Sequence, residues 1–134
     1  MKVIKIPYDL EQACSICDIE DPNDLSDEEC WKVLKQIKQL LNIDMAEIVY
    51  LNTVCSSEPN RDFCLIVDEV GKLKDGWTDR INNRASQFYP GSVFGDPIVG
   101  DVVLCARQWT DNFGACDLAG LTDYEVEVMM FHLL

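Results

Sequence analysis

Short apolar runs with β-prone side chains recur along the chain and predict a small sheet. Residues 63–67 form such a run, which stops at the turn residues 70–72, and residues 98–105 form a second one. Two runs of this kind are typical of a sheet interior. Residues 2–6 alternate enough to predict a short strand, which Pro7 closes because proline has no amide hydrogen for a ladder.

The remaining strand signal and the irregular segments come from the same pattern. Residues 48–51 and 53–54 predict a strand that the turn 56–60 joins to residues 63–67 in a β-hairpin. Residues 8–25 show no sustained period and predict a loop or a short helical turn. Residues 108–120 are polar and contain glycine, which predicts a long loop, and such loops often contact a ligand or a partner.

Two helices have well-marked starts. Ser26 with Glu29 forms a capping box, Leu25 can pack onto Cys30, and the helix runs to about Asn42. Its apolar face holds Cys30, Val33, Leu34, Ile37, Leu40 and Leu41. Near the end of the chain, Thr122 and Glu125 form a second capping box, before a helix predicted to bury Val126, Met129, Met130 and Leu133.

A third, narrower helix is predicted between the two central strands. Thr78 can cap it, Ile81, Ala85 and Phe88 form its apolar stripe, and residues 89–91 end it. Together these elements predict one α+β domain over residues 1–134. Its sheet is small and mostly antiparallel, with about four strands, and about three helices pack on it.

Charge narrows the functional classes. The 134 residues include 24 acidic and 11 basic side chains, a net charge of −13. A field of that sign repels phosphates, so direct binding of nucleic acid is not expected. No apolar run approaches the ~18 residues of a membrane span, and no secretory signal is evident, so we expect a cytoplasmic protein. The seven cysteines are odd in number and irregularly spaced, which indicates free thiols.

The acidic residues are concentrated in one run, which is the first candidate surface. Seven acids follow one another with no basic residue between them: Asp18, Glu20, Asp21, Asp24, Asp27, Glu28 and Glu29. Such a run can imitate a phosphate track and occupy the nucleic-acid groove of another protein. The alternative is that the acidity only keeps the protein soluble.

Polar and aromatic residues of the central segment form the second candidate. Asn82, Asn83 and Arg84 lie off the apolar stripe and are expected to face solvent or a partner. The alternative is that the asparagines cap the adjacent loop and that Arg84 pairs with a surface acid. Trp77 and Trp109 are predicted to lie in loops, where they could anchor an interface. Trp31 is assigned to the core.

No catalytic or metal-binding constellation is predicted. Cys14 and Cys17 have metal-ligand spacing, and Cys30 or Cys116 with His132 could complete a zinc site, but a second close pair is missing. The acids near Asp18 lack the glycine and terminal glutamate of an EF-hand loop. A single histidine excludes Ser-His-Asp triads and histidine relays. We therefore expect no cofactor.

Four short motifs stand out in the second half of the chain: Val67-Asp68-Glu69-Val70-Gly71-Lys72-Leu73-Lys74, Asn82-Asn83-Arg84-Ala85-Ser86, Ile98-Val99-Gly100-Asp101-Val102-Val103 and Leu121-Thr122-Asp123. Together they resemble an uncharacterised family, a domain of unknown function found in small proteins of phages, plasmids and other mobile elements. Where the family usually has a proline near the second motif, this chain has Gly76-Trp77-Thr78-Asp79. The family has no agreed activity, so the resemblance implies a biological context, since small proteins of mobile elements commonly bind a host protein.

The sequence is therefore consistent with two functions. The first is a non-catalytic accessory or anti-defence protein that binds a host protein through acidic and aromatic surface, and inhibits a nucleic-acid-binding defence or regulatory factor. The alternative is a small enzyme or ligand-binding domain with a site between the central helix and the 108–120 loop. A deep pocket converging on Asn83, Arg84 and Trp109 would favour the alternative. The sequence does not predict the oligomeric state.

Overall fold

The computed structural model describes residues 1–20, 27–55, 60–109 and 116–134, with side chains except at 27–31, 52–55, 109 and 116–117. These residues form an antiparallel sheet with helices on both faces, an α+β fold. The strands are β1 (Lys2–Ile6), β2 (Ser15–Asp18), β3 (Ala46–Cys55), β4 (Arg61–Asp68), β5 (Val102–Trp109) and β6 (Cys116–Ala119). The helices are α1 (Asp27–Leu41), α2 (Asn83–Ser86) and α3 (Asp123–His132).

The sheet is ordered β2-β1-β5-β4-β3, and β6 also pairs with β5. β1 pairs with β5 through Val102–Leu104, and β6 pairs with it from Ala106 onward, so β1 and β6 lie end to end along the same side of β5. The junction is tight: the Leu121 amide donates to the Lys2 carbonyl at 2.8 Å. A Cβ on Gly120 would come within 2.6 Å of the Met1 Cβ, so only glycine fits there.

Alternation along the inner strands sends side chains to two separate cores. In β4, Phe63, Leu65 and Val67 point to the face covered by α3, while Cys64 and Ile66 point to the face covered by α1. The α3-side core also contains Ile4, Ile6, Leu104, Phe88, Val126, Met129 and Leu133. The α1-side core contains Val3, Ile19, Val33, Ile37, Leu41, Val103 and Cys105.

The predicted start of α3 is confirmed. The Thr122 Oγ1 accepts a hydrogen bond from the Glu125 amide at 3.1 Å, and the Glu125 Oε1 accepts one from the Thr122 amide at 2.8 Å. Its predicted face is confirmed as well: Val126, Met129 and Leu133 are buried and Met130 is partly buried against the core. The cap and staple predicted for α1 at Leu25, Ser26, Glu29 and Cys30 fall outside the described side chains.

A buried ion pair fastens α3 to the sheet. The side chains of Arg61 in β4 and Glu125 in α3 are only 5% and 7% exposed. Arg61 Nε and Nη2 donate to the two carboxylate oxygens at 3.0 and 2.6 Å, and Nη2 also donates to the Gly120 carbonyl at 2.5 Å. Glu125 therefore completes the capping box and neutralises a buried guanidinium with the same carboxylate.

The predicted sheet was too small. It has six strands where about four were predicted. β2 lies inside residues 8–25, where no regular element was predicted, because four residues are too few to show a period and their pairing with β1 determines the strand. The polar loop predicted over 108–120 was also wrong at both ends: β5 continues to Trp109, and β6 begins at Cys116.

The centre of the chain differs from its predicted course as well. The second central strand begins at Val102 and not at residue 98, because Gly100 takes a left-handed φ of 81°. Residues 98–100 instead pair with 80–82: the Asn82 amide donates to the Ile98 carbonyl at 2.8 Å, and the Gly100 amide donates to the Arg80 carbonyl at 2.7 Å. An isolated bridge joins Ile81 to Val99 between them.

The helix predicted from Thr78 was wrong for the same reason. Trp77–Arg80 is a 3-10 turn, and Ile81 is extended at φ −63° and ψ 125° to make its bridge. Helix α2 therefore starts only at Asn83, and Asn82 caps it. The predicted antiparallel pairing of β3 with β4 is confirmed, while residues 56–59 of the predicted turn lie outside the described residues.

We expect Glu125→Gln to lower the free energy of unfolding by about 3–5 kcal/mol, because the buried Arg61 guanidinium would lose the negative charge of the Glu125 carboxylate. Glu127→Gln, at an exposed position of the same helix, should change it by less than about 0.5 kcal/mol. Urea unfolding followed by circular dichroism measures both. Equal effects of the two variants would contradict the role given to the Arg61–Glu125 pair.

Candidate interaction surface

Asn82 is a buried structural residue. Its side chain is fully buried, and its Nδ2 donates to the Ile6 and Gly100 carbonyls, at 2.9 Å each. Its Oδ1 accepts the Ala85 amide at 3.0 Å and so caps α2. The expectation that Asn82 faces solvent or a partner was wrong; the capping alternative is correct for this residue.

Arg84 serves the fold in a related way. Its Nη2 donates to the main-chain carbonyls of Pro7, Asp9 and Gln12, at 2.6, 3.0 and 2.9 Å. The guanidinium therefore holds the segment that follows β1, and neither the predicted partner-facing position nor the alternative pairing with a surface acid describes it. Asn83 is exposed, as expected.

Two small cavities lie on either side of Asp68, Gly71 and Val99, at the end of the sheet where β4 stops. Their volumes are about 150 and 180 Å³, below the ~300 Å³ at which ligand pockets usually begin. Lys74 Nζ lies 2.6 Å from a carboxylate oxygen of Asp68, and Lys72 bonds to Asp96. These four side chains neutralise one another in pairs around the openings. They therefore add no unpaired charge to either cavity.

The alternative site is divided in the structure. Its central-helix part lies beside Gly100, before the start of β5, whereas Trp109 is the last residue of that eight-residue strand. At ~3.4 Å per residue the two parts are roughly 25 Å apart. Asn83 instead lines an open depression of about 430 Å³ together with Tyr8, Asp9, Leu10, Thr78, Asp79 and Ile81.

The basic residues are largely used inside the fold. All 11 fall within the described ranges. Six of them lie within ion-pair distance of a carboxylate: Lys2, Lys5, Arg61, Lys72, Lys74 and Arg107. Three more donate to main-chain carbonyls: Lys38, Arg80 and Arg84. The chain contains 24 acidic and 11 basic residues, so its carboxylates outnumber the side chains that could neutralise them.

The described part of the acidic run lies at the β2 edge of the sheet. Asp18 ends β2 and Glu20 follows it, and both are exposed. Asp21 and Asp24 lie outside the described residues. Asp27 and Glu28 open α1, but their side chains also lie outside the description.

Lys2 links this edge to α3. It stands opposite Asp18 in the β1–β2 ladder, and its Nζ donates to a carboxylate oxygen of Asp123 at 2.8 Å. The hydrogen bond and the charge of Asp123 raise the pKa of Lys2 above 10.5, and Asp18 adds to that effect. The same hydrogen bond, with the positive charge of Lys2, lowers the pKa of Asp123 below 3.8. Asp18 and Asp123 thus share one cation.

The tryptophans take different places. Trp77 begins the 3-10 turn before Ile81 and is partly buried. Trp109 was predicted to lie in a loop, and this was wrong, since it ends β5; its side chain lies outside the description. Trp31 lies in α1, and the assignment of its side chain to the core is likewise outside the described side chains.

Cys14 and Cys17 do not converge. Cys14 packs against the α3-side core and Cys17 against the α1-side core, as expected for residues three apart in an extended segment. Within the described ranges, no three histidine, cysteine, aspartate or glutamate side chains are grouped so that they could hold a metal ion. Burial raises the pKa of the Cys14 thiol, which disfavours the reactive thiolate.

Several large apolar side chains are exposed, and two groups of them that lie close together in the sequence were missed by sequence reasoning. Val93 and Phe94, in the 3-10 turn Pro90–Phe94 beside β3, are 83% and 89% exposed. On α3, Tyr124, Phe131 and the following Leu134 are 67%, 73% and 99% exposed. The second group could have been found from the sequence. Residues 123–132 are only weakly polar as a whole, and the face opposite the buried stripe also carries aromatic residues.

No protein-family model and no curated protein matches the chain. Among solved structures, it is similar to part of the crystal structure of the small RNA methyltransferase HEN1, with a TM-score of 0.57 over 98% of this chain and 16% sequence identity. The chain spans about 15% of the length of that protein. At this identity the similarity concerns the fold alone. Among the described residues, no helix is long and apolar enough to cross a membrane.

We expect Asn82→Ala to lower the free energy of unfolding by about 2–4 kcal/mol. About 1 kcal/mol comes from the lost helix cap, and about 1–3 from the buried carbonyls left without a donor. Asn83→Ala, at the exposed neighbour, is the matched control and should cost under about 0.5 kcal/mol. If chemical denaturation gave the two variants the same midpoint, Asn82 would not have the structural role described.

The Lys2–Asp123 pair should be visible in a pH titration. Because the pKa of Asp123 is lowered in the folded protein, its contribution to stability is present above pH 3.8 and is lost as the pH falls through the lowered value. The raised pKa of Lys2 gives a contribution that is present below pH 10.5 and is lost as the pH rises through the raised value. Lys2→Met should return Asp123 towards pKa 3.8, as measured by carboxyl NMR; an unchanged Asp123 titration would exclude the contact.

Proposed function

We propose that this chain is a non-catalytic binding protein whose partner is a cationic protein, namely a nucleic-acid-binding defence or regulatory factor of a host cell, which it inhibits. The proposal rests on one observation: most of the basic residues contact other groups of the same chain. At least nine of the 11 contact carboxylates or main-chain carbonyls, six of the first kind and three of the second.

That arrangement leaves a surface dominated by carboxylates. It favours encounter with a positively charged surface and opposes encounter with a phosphate backbone. A protein that binds DNA or RNA presents such a positive surface in its binding groove. An acidic protein that covers this groove competes directly with the nucleic acid, and the attraction weakens as salt screens it.

The biological context rests on the resemblance of the motifs to small proteins of phages and mobile elements. A protein of that origin acts in the cytoplasm of the host, where its targets are host proteins. Two of the motifs, with residues Asp68 to Lys74 and Ile98 to Val103, build one end of the sheet and its paired charges. We therefore place binding on the surface away from these two motifs.

The first experiment is capture of partners by the tagged protein from a nuclease-treated lysate of the host, at low and at high salt, followed by mass spectrometry. We expect one stoichiometric basic protein that is retained at low salt and reduced at high salt. The captured protein is then tested for binding of its own nucleic acid in a mobility-shift assay. Addition of this chain should displace the nucleic acid.

A matched pair of charge variants tests whether capture depends on the acidic run itself or only on the overall negative charge. Asp27→Lys/Glu28→Lys lies in the acidic run, and Asp75→Lys/Asp79→Lys carries the same change of charge at exposed positions on the central segment. Only the first pair should abolish capture. If no basic protein is retained at either salt, or if displacement of nucleic acid does not occur, the proposal is wrong, and a thermal-shift screen with small ligands becomes the better guide.

A further inference from the structure

Helix α3 is apolar on two sides, and only one of them is covered. Val126, Met129 and Leu133 pack on the sheet, while the opposite side exposes Tyr124 and Phe131. We define the α3 outer face as Tyr124, Glu127, Phe131 and Leu134. Exposed apolar side chains grouped on one side of a surface helix, here Tyr124 and Phe131, give the outer face the character of an interface.

The sheet beside α3 is also open at its β2 edge. Ile16 and Asp18 of β2 stand opposite Ile4 and Lys2 of β1, and Ile4 belongs to the α3-side core. Directly paired residues point to the same face of a sheet, so Ile16 and Asp18 point to the side on which α3 lies. Ile16 is 50% exposed. Strand β2 therefore forms an open, partly apolar floor next to α3.

The flank of α3 that faces this floor is acidic. Asp123 bonds to Lys2 of β1, and this contact orients its flank towards β1 and β2. Glu127 lies one turn further along the same flank and is exposed. Lys2 is the basic residue that the β1–β2 register places beside Asp18, and Asp123 already engages it.

This charge identifies the occupant. A second copy of the chain would bring its own charge of −13 against the same charge, and like charges oppose that association. A partner with Lys or Arg beside an apolar stripe would instead gain from both terms. Within α3, Tyr124, Glu127 and Phe131 follow one another at intervals of three and four residues, the spacing of a coiled-coil seam, and Leu134 follows the end of the helix. Such a seam fits a partner helix with the same spacing.

We propose that the α3 outer face, together with Ile16 and Asp18 of β2, docks a basic amphipathic helix of the partner protein. Tyr124 and Phe131 supply the apolar anchors, and Asp18 and Glu127 face its basic residues. This inference rests on the proposed function, since it assigns the surface at which a cationic partner is bound. It adds apolar anchors on α3 to the acidic run at the β2 edge.

The test uses synthetic peptides as probes. The first is a Leu/Lys peptide of about three heptads with leucine at the seam positions. The second has the same composition in scrambled order, and the third replaces lysine by glutamate. Binding to the full chain is measured by calorimetry at low and high salt. We expect the first peptide to bind at least about tenfold more tightly than the second, and the third not to bind.

Two double variants locate the binding. Tyr124→Ser/Phe131→Ser removes the anchors and should weaken binding of the first peptide at least about tenfold. Val93→Ser/Phe94→Ser is the matched control, because it removes two exposed apolar side chains from the turn beside β3. The strand order puts β3 three strands from β1, on the order of 14 Å away. Thermal unfolding of both variants verifies that they are folded.

Several outcomes would overturn the inference: equal binding of the ordered and scrambled peptides, loss of binding in the Val93/Phe94 variant alone, or no effect of the Tyr124/Phe131 variant. Analytical ultracentrifugation adds a further one, because a dimer of this chain that the Tyr124/Phe131 variant dissociates would make a second copy the occupant. If the lysate partner is captured equally by wild type and by that variant, the inference fails while the proposed function stands. If no cationic protein is captured, the proposed function fails by itself, and the peptides still decide the docking face.

Discussion

The position of α3 depends on one buried contact, the ion pair between Arg61 and Glu125. A guanidinium in the interior is tolerated only when its charge and its donors are met, and here one carboxylate and the Gly120 carbonyl meet them. Because the carboxylate also belongs to the capping box, the start of the helix and its attachment to β4 cannot be moved separately. The orientation of the α3 outer face follows from this attachment.

The opposite end of the sheet is organised by an uncharged buried side chain, that of Asn82. The Asn82 amide joins the end of β1, the turn at Gly100 and the start of α2 through three hydrogen bonds. Arg84 then holds the chain that leaves β1. Asn82 and Arg84, which the sequence predicted to face a partner, therefore serve the fold, whereas their neighbour Asn83 is exposed.

Sequence reasoning was sufficient where local and long-range preferences agree. The capping box at Thr122, the apolar stripes of α1 and α3, and the strands β1, β3 and β4 follow from periods and caps that act within a few residues. It failed where a distant contact decides: β2 depends on its pairing with β1, and Ile81 leaves the predicted helix to pair with Val99. The cap that Asn82 makes on the Ala85 amide is local, but its burial follows from two partners that are 76 and 18 residues away, which a local pattern does not show.

The pairing of β1 also bears on how the chain folds as it is synthesised. Ile4 of β1 lies opposite Leu104 of β5, about a hundred residues later. At ~5–20 residues per second, synthesis takes on the order of 5–20 s to supply that partner, and contacts of such long range slow the search for the native arrangement. During this interval the apolar side of β1 lacks its central neighbour. The early part of the chain is then most exposed to misfolding and to capture by chaperones.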